Sequence, residues 1–450
     1  MKYFGTDGIR GVANIHPMTP EFALRLGRAT CRIMSQFSDK KLVLIGTDTR
    51  RSCKMLESSL LSGILSEGYD CALLGVIPTS GVAYLARKMN AAFAIMISAS
   101  HNPYYDNGIK LFSHEGFKLK NEIETAIEES IPKRGDEKHT SDRVGRVLDF
   151  YDGFPPASIY INHLLNKFWE NVIENKKIII DCSNGSASSI AKPIFTKVTK
   201  DCEIIHDDPN GVNINHNCGS TKMESLINYV KTSQEEAIGI AFDGDADRVL
   251  MVDEDGEYVD GDEIMAIIAK YLKVNNQLSG NRVVATVMSN LGFLKSMEKE
   301  GIDVEITPVG DRHVLHRMID TGAMIGGEQS GHIILAAHNT TGDGIQTALT
   351  ILSIISETKT PLKELKKVMR KYPQVLKNAK ISNKSDWLEN LVLQKEIQAM
   401  EVELKGNGRL LVRPSGTEPL VRVMVEGDDL PMLNDLVDRA IHKIETTLKK

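Results

Sequence analysis

The chain of 450 residues lacks several features that would place it in a specialised class of protein. No apolar run approaches the roughly 18 residues that a membrane span needs, and the first residues lack the charged and then apolar pattern of a secretion signal. The six cysteines are scattered and form no Cys-x-x-Cys pair, which predicts neither a zinc site nor a disulfide framework. We therefore expect a cytoplasmic protein in a reducing compartment.

A strong charge of one sign and low-complexity sequence are absent as well. The formal net charge is −6, with acidic and basic residues mixed throughout, which argues against nucleic acid or an anionic membrane as the main partner. Hydrophobic residues make up 42% and charged residues 25% of the chain, as in ordinary globular proteins. This length exceeds what one hydrophobic core can organise and predicts about three domains.

Short β-branched runs alternate with segments of helical length over most of the chain. This alternation predicts α/β domains with largely parallel sheets. Examples are the run 41–45, which is followed by a helical segment after Ser52, and the run Lys177–Asp181. From about Lys371 the pattern changes to short strands and a final helix, which predicts a small α+β domain. The polar stretch 132–142 predicts a surface connection between domains.

The first chemical motif is Ser-Ala-Ser-His-Asn-Pro at residues 98–103, directly after an apolar run. A serine on a loop that follows a buried strand is a common place for chemistry. Next to Ser100, His101 offers a proton acceptor, and Lys110 offers a positive charge. A turn whose hydroxyls satisfy local backbone groups explains the same residues. The motif by itself leaves both interpretations open.

The strongest local signal is Asp-Gly-Asp-Ala-Asp-Arg, which starts at Asp243. Because side chains alternate along an extended backbone, Asp245 and Asp247 should point the same way as the first carboxylate, and such crowding requires a cation or a proton. Oxygen ligands alone suit a hard ion such as Mg²⁺. A calcium-binding helix-loop-helix would place Glu254 at its twelfth position, but Arg248 stands where that loop needs glycine. A solvated acidic hairpin is the remaining alternative, and the apolar flanks argue against it.

The sequence Gly-Gly-Glu-Gln-Ser-Gly-His at residues 326–332 is the third motif. Glycines allow a close approach of the backbone, while Glu328, Ser330 and His332 offer acceptor and donor groups. This mixture suits sugar hydroxyls, although a generic polar turn has the same composition.

The fourth motif combines Arg413, Ser415, Gly416 and Thr417 with the nearby Arg422. Exposed amides and hydroxyls flanked by arginines predict a phosphate-binding loop, and an ordinary connection between strands is the alternative. Together the four motifs supply a reactive serine, a hard-metal site, a sugar loop and a phosphate loop. A phosphoryl-transfer enzyme that acts on a phosphosugar explains all four.

In this order and spacing the motifs resemble the α-D-phosphohexomutase superfamily over nearly the whole chain. Within it, the opening Tyr-Phe-Gly-Thr-Asp-Gly-Ile-Arg-Gly at residues 3–11 and Gln329 in the sugar loop favour the members that act on glucosamine phosphates. The resemblance implies an α/β fold with three related mixed α/β domains and a smaller C-terminal α+β domain around one active-site cleft. The implied domains carry the serine, metal, sugar and phosphate loops in turn and span residues 1–145, 156–252, 253–366 and 371–450.

The resemblance also implies a reaction. The enzyme would interconvert glucosamine 6-phosphate and glucosamine 1-phosphate, on the route to UDP-N-acetylglucosamine, through a phosphoserine and a glucosamine 1,6-bisphosphate intermediate. Its partners would be small phosphosugars, and a homodimer is left open.

Each motif receives a role by the same resemblance. The phosphoserine at Ser100 would hold one Mg²⁺ together with Asp243, Asp245 and Asp247. Three further residues would act in catalysis: Lys110, His101 and Arg248. Sugar hydroxyls would be contacted by Glu328, Ser330 and His332. The phosphate that does not react would be held by Arg413, Ser415, Gly416, Thr417 and Arg422.

Three other functions remain open at this point. A mutase of the same superfamily could act on mannose or glucose phosphates. A Mg²⁺-dependent sugar phosphatase could use Asp243 as its nucleophile, and it would release inorganic phosphate without needing Ser100. A sugar-phosphate sensor on a degenerate mutase scaffold would have no need for the complete set of serine, carboxylates and Lys110.

Overall fold

The computed structural model describes residues 2–5, 7–131, 141–148, 155–166, 173, 176–404, 407–414 and 420–448. The chain forms two compact units, the first made of Met1–Met288 with Ile302–Val368 and the second of Ser289–Gly301 with Met369–Lys450. Within the described residues, no helix is long and apolar enough to cross a membrane. Most of the predicted polar connection at 132–142 lies outside the described residues.

The first sheet of unit one has seven strands. They are β1 (Phe4–Gly5), β2 (Gly8–Val12), β3 (Leu42–Thr47), β4 (Asp70–Val76), β5 (Phe93–Ile97), β6 (Asp106–Ser113) and β7 (Val147–Leu148). Their order is β1-β2-β6-β5-β3-β4-β7, with β3 parallel to β4 and β5 and with β6 antiparallel to β5. Every residue of β5 is buried, as its uncharged apolar run predicts. The serine loop therefore begins at the end of a strand in the middle of the sheet.

Four helices accompany this sheet, namely α1 (Pro20–Met34), α2 (Cys53–Ser66), α3 (Thr79–Lys88) and α4 (Asn121–Ser130). Helix α1 begins where the sequence predicts, because Thr19 accepts a hydrogen bond from the Phe22 N–H and Pro20 occupies the first turn. Helices α1 and α2 pack closely through glycine. A Cβ atom on Gly63 would lie 2.3 Å from the Leu24 carbonyl oxygen, so a larger residue would separate the helices.

The second sheet carries the acidic motif. Its strands are β8 (Lys177–Asp181), β9 (Cys202–Ile205), β10 (Ala237–Phe242), β11 (Val249–Val252) and β12 (Tyr258–Val259), and the helices of this region are α5 (Pro156–Leu165), α6 (Ala191–Val198) and α7 (Glu224–Thr232). The strand order is β12-β11-β10-β8-β9. Because β10 and β11 are antiparallel neighbours, residues 243–248 form the loop of a hairpin.

The third sheet has the order β14-β13-β15-β16 and is also mixed. Its strands are β13 (Arg282–Thr286), β14 (Asp303–Thr307), β15 (Ile325–Gly327) and β16 (Ile333–Leu335). The following helices are α8 (Gly261–Val274), α9 (Leu291–Lys299), α10 (Asp311–Thr321), α11 (Gly344–Thr358) and α12 (Leu362–Leu365). The predicted sugar loop connects β15 to β16. Helix α9 belongs to unit two, although it follows β13 in the chain.

Unit two is built on a three-stranded antiparallel sheet with the order β17-β19-β18. Its strands are β17 (Gln374–Lys380), β18 (Arg409–Pro414) and β19 (Leu420–Glu426), and its further helices are α13 (Lys384–Glu389), α14 (Leu391–Ala399) and α15 (Leu430–Leu448). The buried carboxylate of Glu426 accepts hydrogen bonds from Asn290 Nδ2, the Leu291 N–H and Arg409 Nε. Three mixed sheets and one smaller α+β region confirm the predicted fold class.

Candidate active site

Ser100 lies in a buried turn directly after β5, and its side-chain oxygen faces the acidic hairpin. Ser100 Oγ donates a hydrogen bond of 2.5 Å to Asp243 Oδ2, and His101 Nδ1 lies 3.4 Å from the same hydroxyl. The backbone φ of Ser100 is +52°, a left-handed conformation that is uncommon for residues other than glycine. The sequence-predicted serine and first aspartate are therefore in direct contact.

The three aspartates of the hairpin converge, as the sequence predicts. Ligand oxygens of Asp243, Asp245 and Asp247 lie within 4.8 Å of one another, and all three residues are buried. Glycine between the first two is required for this arrangement, because a Cβ atom on Gly244 would lie 2.5 Å from the Ser100 carbonyl oxygen. The hairpin can approach the serine turn only at a residue without a side chain.

The carboxylates of this group fit a hard cation. Burial, together with the neighbouring carboxylates of Asp247 and Asp245, raises the pKa of Asp243 well above its ordinary value. Oδ1 of Asp245 and Oδ1 of Asp247 are buried and have no hydrogen-bond partner in the described part of the chain. Buried oxygens without partners are costly, and hard divalent ions bind such oxygens. The three residues therefore form a possible metal-binding triad.

Lys110 projects from β6 into the same cluster. Its Nζ lies 2.8 Å from Asp245 Oδ2, 3.0 Å from Asp7 Oδ2 and 3.4 Å from Asp247 Oδ2, and its side chain is 1% exposed. Burial lowers the pKa of Lys110, but the three carboxylates outweigh burial and raise it well above the ordinary value. Burial raises the pKa of Asp245, whereas Lys110 and the Thr79 hydroxyl lower it to a greater extent. The pair is therefore charged in this arrangement.

A cavity of about 410 Å³ opens beside the cluster, within unit one. It is lined by Asp247 and by four further residues that the sequence predicts, namely His101, Arg248, Glu328 and His332. Burial and the positive charges of Arg248 and Arg10 lower the pKa of His101 to about 4. His101 is therefore neutral near pH 7 and can accept a hydrogen bond in the cavity.

Only some of the polar residues in the loop between β15 and β16 line this cavity. Glu328 Oε1 accepts a hydrogen bond of 3.0 Å from the Gly310 N–H, which orients its carboxylate. In contrast, Ser330 is exposed and does not line the cavity. Gln329 Nε2 donates to Asp260 Oδ2 at 3.3 Å, so this glutamine contacts the N-cap residue of α8.

The predicted phosphate loop lies in unit two. Arg413 and Arg422 lie directly opposite each other in the antiparallel pair β18 and β19. Their two side chains therefore leave the sheet at the same point along the strands. Ser415, Gly416 and Thr417 lie outside the described residues.

Sequence reasoning left four residues of this region without a role. Asp7 and Arg10 belong to the glycine-rich opening segment and line the cavity, as does Asp311 at the start of α10. Lys118 forms ion pairs with both aspartates, and its side chain is 8% exposed. The glycine-rich segment is visible as a motif in the sequence. No local pattern marks Lys118, because its partners lie 111 and 193 positions away.

Sequence models of one family match most of the chain, in four consecutive parts. The models are those of phosphoglucomutase/phosphomannomutase α/β/α domain I at residues 1–138, domain II at 158–256, domain III at 260–372 and the C-terminal domain at 376–443.

Curated relatives match this chain over nearly its full length. A phosphoglucosamine mutase of Brevibacillus brevis is 47% identical, with 99% of both chains covered. A phosphoglucosamine mutase of Desulforamulus reducens is 46% identical, with 97% of this chain and 98% of the relative covered.

Solved structures of lower identity show the same fold. A phosphoglucomutase/phosphomannomutase family protein of Burkholderia thailandensis has a TM-score of 0.80 at 22% identity, covering 98% of this chain and 97% of that one. Aspergillus fumigatus N-acetylphosphoglucosamine mutase, in complex with GlcNAc-6P and magnesium, has a TM-score of 0.71 at 16% identity, covering 99% and 96%.

Proposed function

Because the chain belongs to the phosphoglucomutase/phosphomannomutase family and is 46–47% identical to phosphoglucosamine mutases, we propose that it interconverts glucosamine 6-phosphate and glucosamine 1-phosphate. The observation that carries this proposal is the contact between Ser100 Oγ and Asp243 beside two further buried carboxylates. A serine in that position can carry a phosphoryl group and return it.

The reaction consists of two phosphoryl transfers at one serine. The phosphoserine at Ser100 gives its phosphoryl group to the free hydroxyl of the monophosphate. The new P–O bond forms as the Ser100 Oγ–P bond breaks, and the proton of the sugar hydroxyl is transferred to restore the serine hydroxyl. We assign proton transfer to His101, whose Nδ1 lies 3.4 Å from Ser100 Oγ, and to Lys110, which contacts Asp245. Arg248 stabilises the transferring charge. Glucosamine 1,6-bisphosphate turns around, and the serine takes back the other phosphate.

The acidic hairpin is the proposed Mg²⁺ site. Asp243, Asp245 and Asp247 would hold the ion together with an oxygen on Ser100, one ion per chain. When bound, Mg²⁺ neutralises negative charge on the group in transfer. The unpartnered Oδ1 atoms of Asp245 and Asp247 support this assignment.

Substrate binding is assigned to two loops. Glu328 and His332 line the cavity beside the cluster and would contact sugar hydroxyls, with Ser330 as a third group of the same loop. The distal phosphate would be held by Arg413, Ser415, Gly416, Thr417 and Arg422. Since one serine reacts with both ends of the sugar, this phosphate-binding site must accept the substrate in two orientations.

We assign the four loops to domains at residues 1–145, 156–252, 253–366 and 371–450, an assignment that the four matched family segments support. We place the reaction in the cytoplasm, where all six cysteines would stay free thiols, as they are in this structure.

Replacement of the serine tests the proposed reaction. We expect Ser100→Ala to lose mutase turnover while it still binds glucosamine 6-phosphate, because the carboxylates and the sugar loop remain. Intact mass spectrometry after addition of glucosamine 1,6-bisphosphate should show one added phosphoryl group in the wild type, mapped to Ser100, and none in the variant.

Two results would contradict this assignment. Full turnover in Ser100→Ala would show that the serine carries no phosphoryl group. Release of inorganic phosphate by both proteins, without isomerisation, would indicate a phosphatase with Asp243 as nucleophile. Parallel assays with glucosamine, glucose and mannose 1-phosphates determine which sugar the enzyme prefers.

A further inference from the structure

Four backbone carbonyl groups in and after the serine turn point to one buried guanidinium group, that of Arg50. Arg50 Nη2 donates to the carbonyl oxygens of Ser100 at 2.9 Å and Asn102 at 2.8 Å. Its Nη1 donates to the carbonyl oxygens of Pro103 and Asp106, the latter at 3.1 Å. With Nε bound to Asp48 Oδ2 at 2.8 Å, every N–H group of this arginine has a partner.

Asn215 reaches the same turn from a separate loop. Its Nδ2 donates to the carbonyl oxygens of Ser100 at 2.9 Å and Asn102 at 3.0 Å. Its Oδ1 accepts from the Ser183 hydroxyl at 2.7 Å, which fixes the direction of the amide. Both carbonyl oxygens therefore receive two donors, one from Arg50 and one from Asn215, and two donors saturate a carbonyl oxygen.

The contacts behind the turn close into a ring. Asp48 Oδ2 accepts from the Ser98 hydroxyl at 2.6 Å, and Ser98 Oγ in turn accepts from the Ser100 N–H at 2.9 Å. The ring then runs from Asp48 through Arg50 back to the Ser100 carbonyl. The side chains of Asp48 and Arg50 are both fully buried. Such a closed and buried network allows the turn few alternative conformations.

This network has a consequence for the reacting serine. We propose that Arg50 and Asn215 are positioning residues that hold Ser100 in its left-handed conformation for phosphoryl transfer, an inference that rests on the proposed function. A left-handed conformation is unfavourable for a residue other than glycine and persists only where the surroundings enforce it. Without the two donors, the turn would relax and Oγ would leave its place beside Asp243.

The same contacts orient a backbone donor. In a trans peptide the N–H points opposite to the C=O, so the His101 N–H points away from Arg50. In the part of the chain that the structure describes, this N–H has no acceptor. His101 lines the cavity, and its N–H is available to an oxygen of a phosphoryl group on Ser100.

Asn215→Asp tests this role with a minimal change. Aspartate keeps the size of the side chain, tolerates the φ of +58° and retains the acceptor for Ser183. It replaces only the NH₂ group with an oxygen that repels the two carbonyl oxygens. We expect kcat to fall by roughly 10- to 100-fold, the effect of a misplacement of about 1 Å, while the KM for glucosamine 6-phosphate changes by less than about twofold.

Asn217→Asp is the matched control. Asn217 lies in the same loop with a φ of +54°, is exposed, and its amide contacts His216. It makes the same chemical change without touching the serine turn, and its kcat should equal that of the wild type. Intact mass after rapid mixing with glucosamine 1,6-bisphosphate should show slower phosphorylation of Ser100 in Asn215→Asp only.

Arg50→Lys provides a second variant, since it keeps a charge beside Asp48 but cannot reach four carbonyls. It should lower kcat in the same way, and it carries the test if Asn215→Asp does not fold. An active wild type with kcat unchanged in both variants, or with a change confined to KM, would overturn the positioning role alone. A wild type without turnover on glucosamine phosphates would overturn the proposed function and the positioning role with it.

Discussion

At the scale of single residues, the site leaves one oxygen of a carboxylate unpaired while it saturates the other. Asp245 Oδ2 accepts from Thr79 Oγ1 at 2.5 Å and from Lys110 Nζ at 2.8 Å, whereas Oδ1 has no partner among the residues that the structure describes. The two hydrogen bonds to Oδ2 fix the plane of the carboxylate and therefore the direction of Oδ1. In the proposed Mg²⁺ site, these contacts would orient the ligand before the ion binds.

The residue-scale prediction concerns this carboxylate. Asp245→Asn keeps an acceptor for Thr79 and Lys110 but removes the negative charge. Removal of an outer-shell partner of a metal costs about 10- to 100-fold in affinity or activity, so loss of a charged ligand should cost at least that. We expect a higher Mg²⁺ requirement and a lower kcat, measured by titrating Mg²⁺ into protein stripped with a chelator.

Asp255→Asn is the control for this experiment, because Asp255 is a surface carboxylate paired with Lys363. It should behave as the wild type. An Asp245→Asn enzyme with an unchanged Mg²⁺ requirement would argue against the acidic hairpin as the metal site.

At the scale of elements, one carboxylate organises the loops that follow β8 and β9. Asp181 Oδ1 accepts from the Ser183 N–H and Oδ2 from the Gly219 N–H, each at 2.8 Å. His206 Nδ1 lies 3.0 Å from Oδ2. Ser183, His206 and Gly219 all have positive φ, so the loops turn sharply around this group. The loop that carries Asn215 is held in place by these contacts.

The element-scale prediction is a pH dependence of stability. The close contact with the Asp181 carboxylate, together with the charge of Asp207, raises the pKa of His206, against the opposing effect of partial burial. A raised histidine pKa means that the pair stabilises the fold fully below the unfolded pKa of about 6.5. The contribution is lost as the pH rises through the folded pKa.

His206→Gln should therefore be less stable than the wild type at pH 5.5, by at most about 1 kcal/mol because the ring is partly exposed. The difference should shrink by pH 8.5. Urea unfolding at both pH values measures it, with the exposed His216→Gln as control. A difference that does not vary with pH would show that the His206–Asp181 pair carries no charge.

Elements with a strong local pattern could be predicted from the sequence. The strand Lys177–Asp181 has the predicted bounds, because three consecutive isoleucines are followed by a polar loop. The helix expected after Ser52 begins at Cys53. The run predicted at 41–45 is a strand at Leu42–Thr47, since pairing with the neighbouring strands continues beyond the apolar residues.

The site was predictable only where its residues are neighbours in the chain. Ser100 and the aspartates stand in compact motifs, and their convergence follows from strand ends. The contacts of Arg50 with the serine turn join residues 50 to 56 positions apart, and Asn215 lies 115 positions from Ser100. Tertiary packing alone brings such partners together, so a single sequence gives no sign of their roles.

At the scale of the whole molecule, unit two depends on a buried carboxylate that joins separate parts of the chain. Glu426 is fully buried and binds Arg409 Nε at 2.6 Å, while its other contacts reach Asn290 and the Leu291 N–H. Arg409 also donates to the Ser289 carbonyl. One carboxylate thus joins the sheet of this unit to the start of α9.

The molecule-scale prediction is local destabilisation by Glu426→Gln. The substitution leaves the guanidinium of Arg409, whose side chain is 18% exposed, without its counter-charge, which costs at most about 3 kcal/mol. We expect faster amide hydrogen exchange in 409–414 and 291–299, and unchanged exchange in the strands of the first sheet.

Glu396→Gln removes a surface pair with Lys443 in the same unit and should leave exchange unaltered, since exposed pairs contribute little. If Glu426→Gln raised exchange equally in both units, the division into two units would not describe the cooperativity of the protein.

Unit two is formed by two separate segments of the chain, which affects where the protein can be truncated or recombined. A stop codon placed after Val368 would remove the sheet but leave α9 behind, with Asn290 deprived of the Tyr372 carbonyl that it binds. Expression of residues 369–450 alone would omit that helix and leave Glu426 and Arg409 without the contacts from 289–291. An exchange of residues 369–450 alone between related genes would pair the C-terminal part with a segment 289–301 from the other parent. An exchange that preserves its core must include the internal segment Ser289–Gly301 as well.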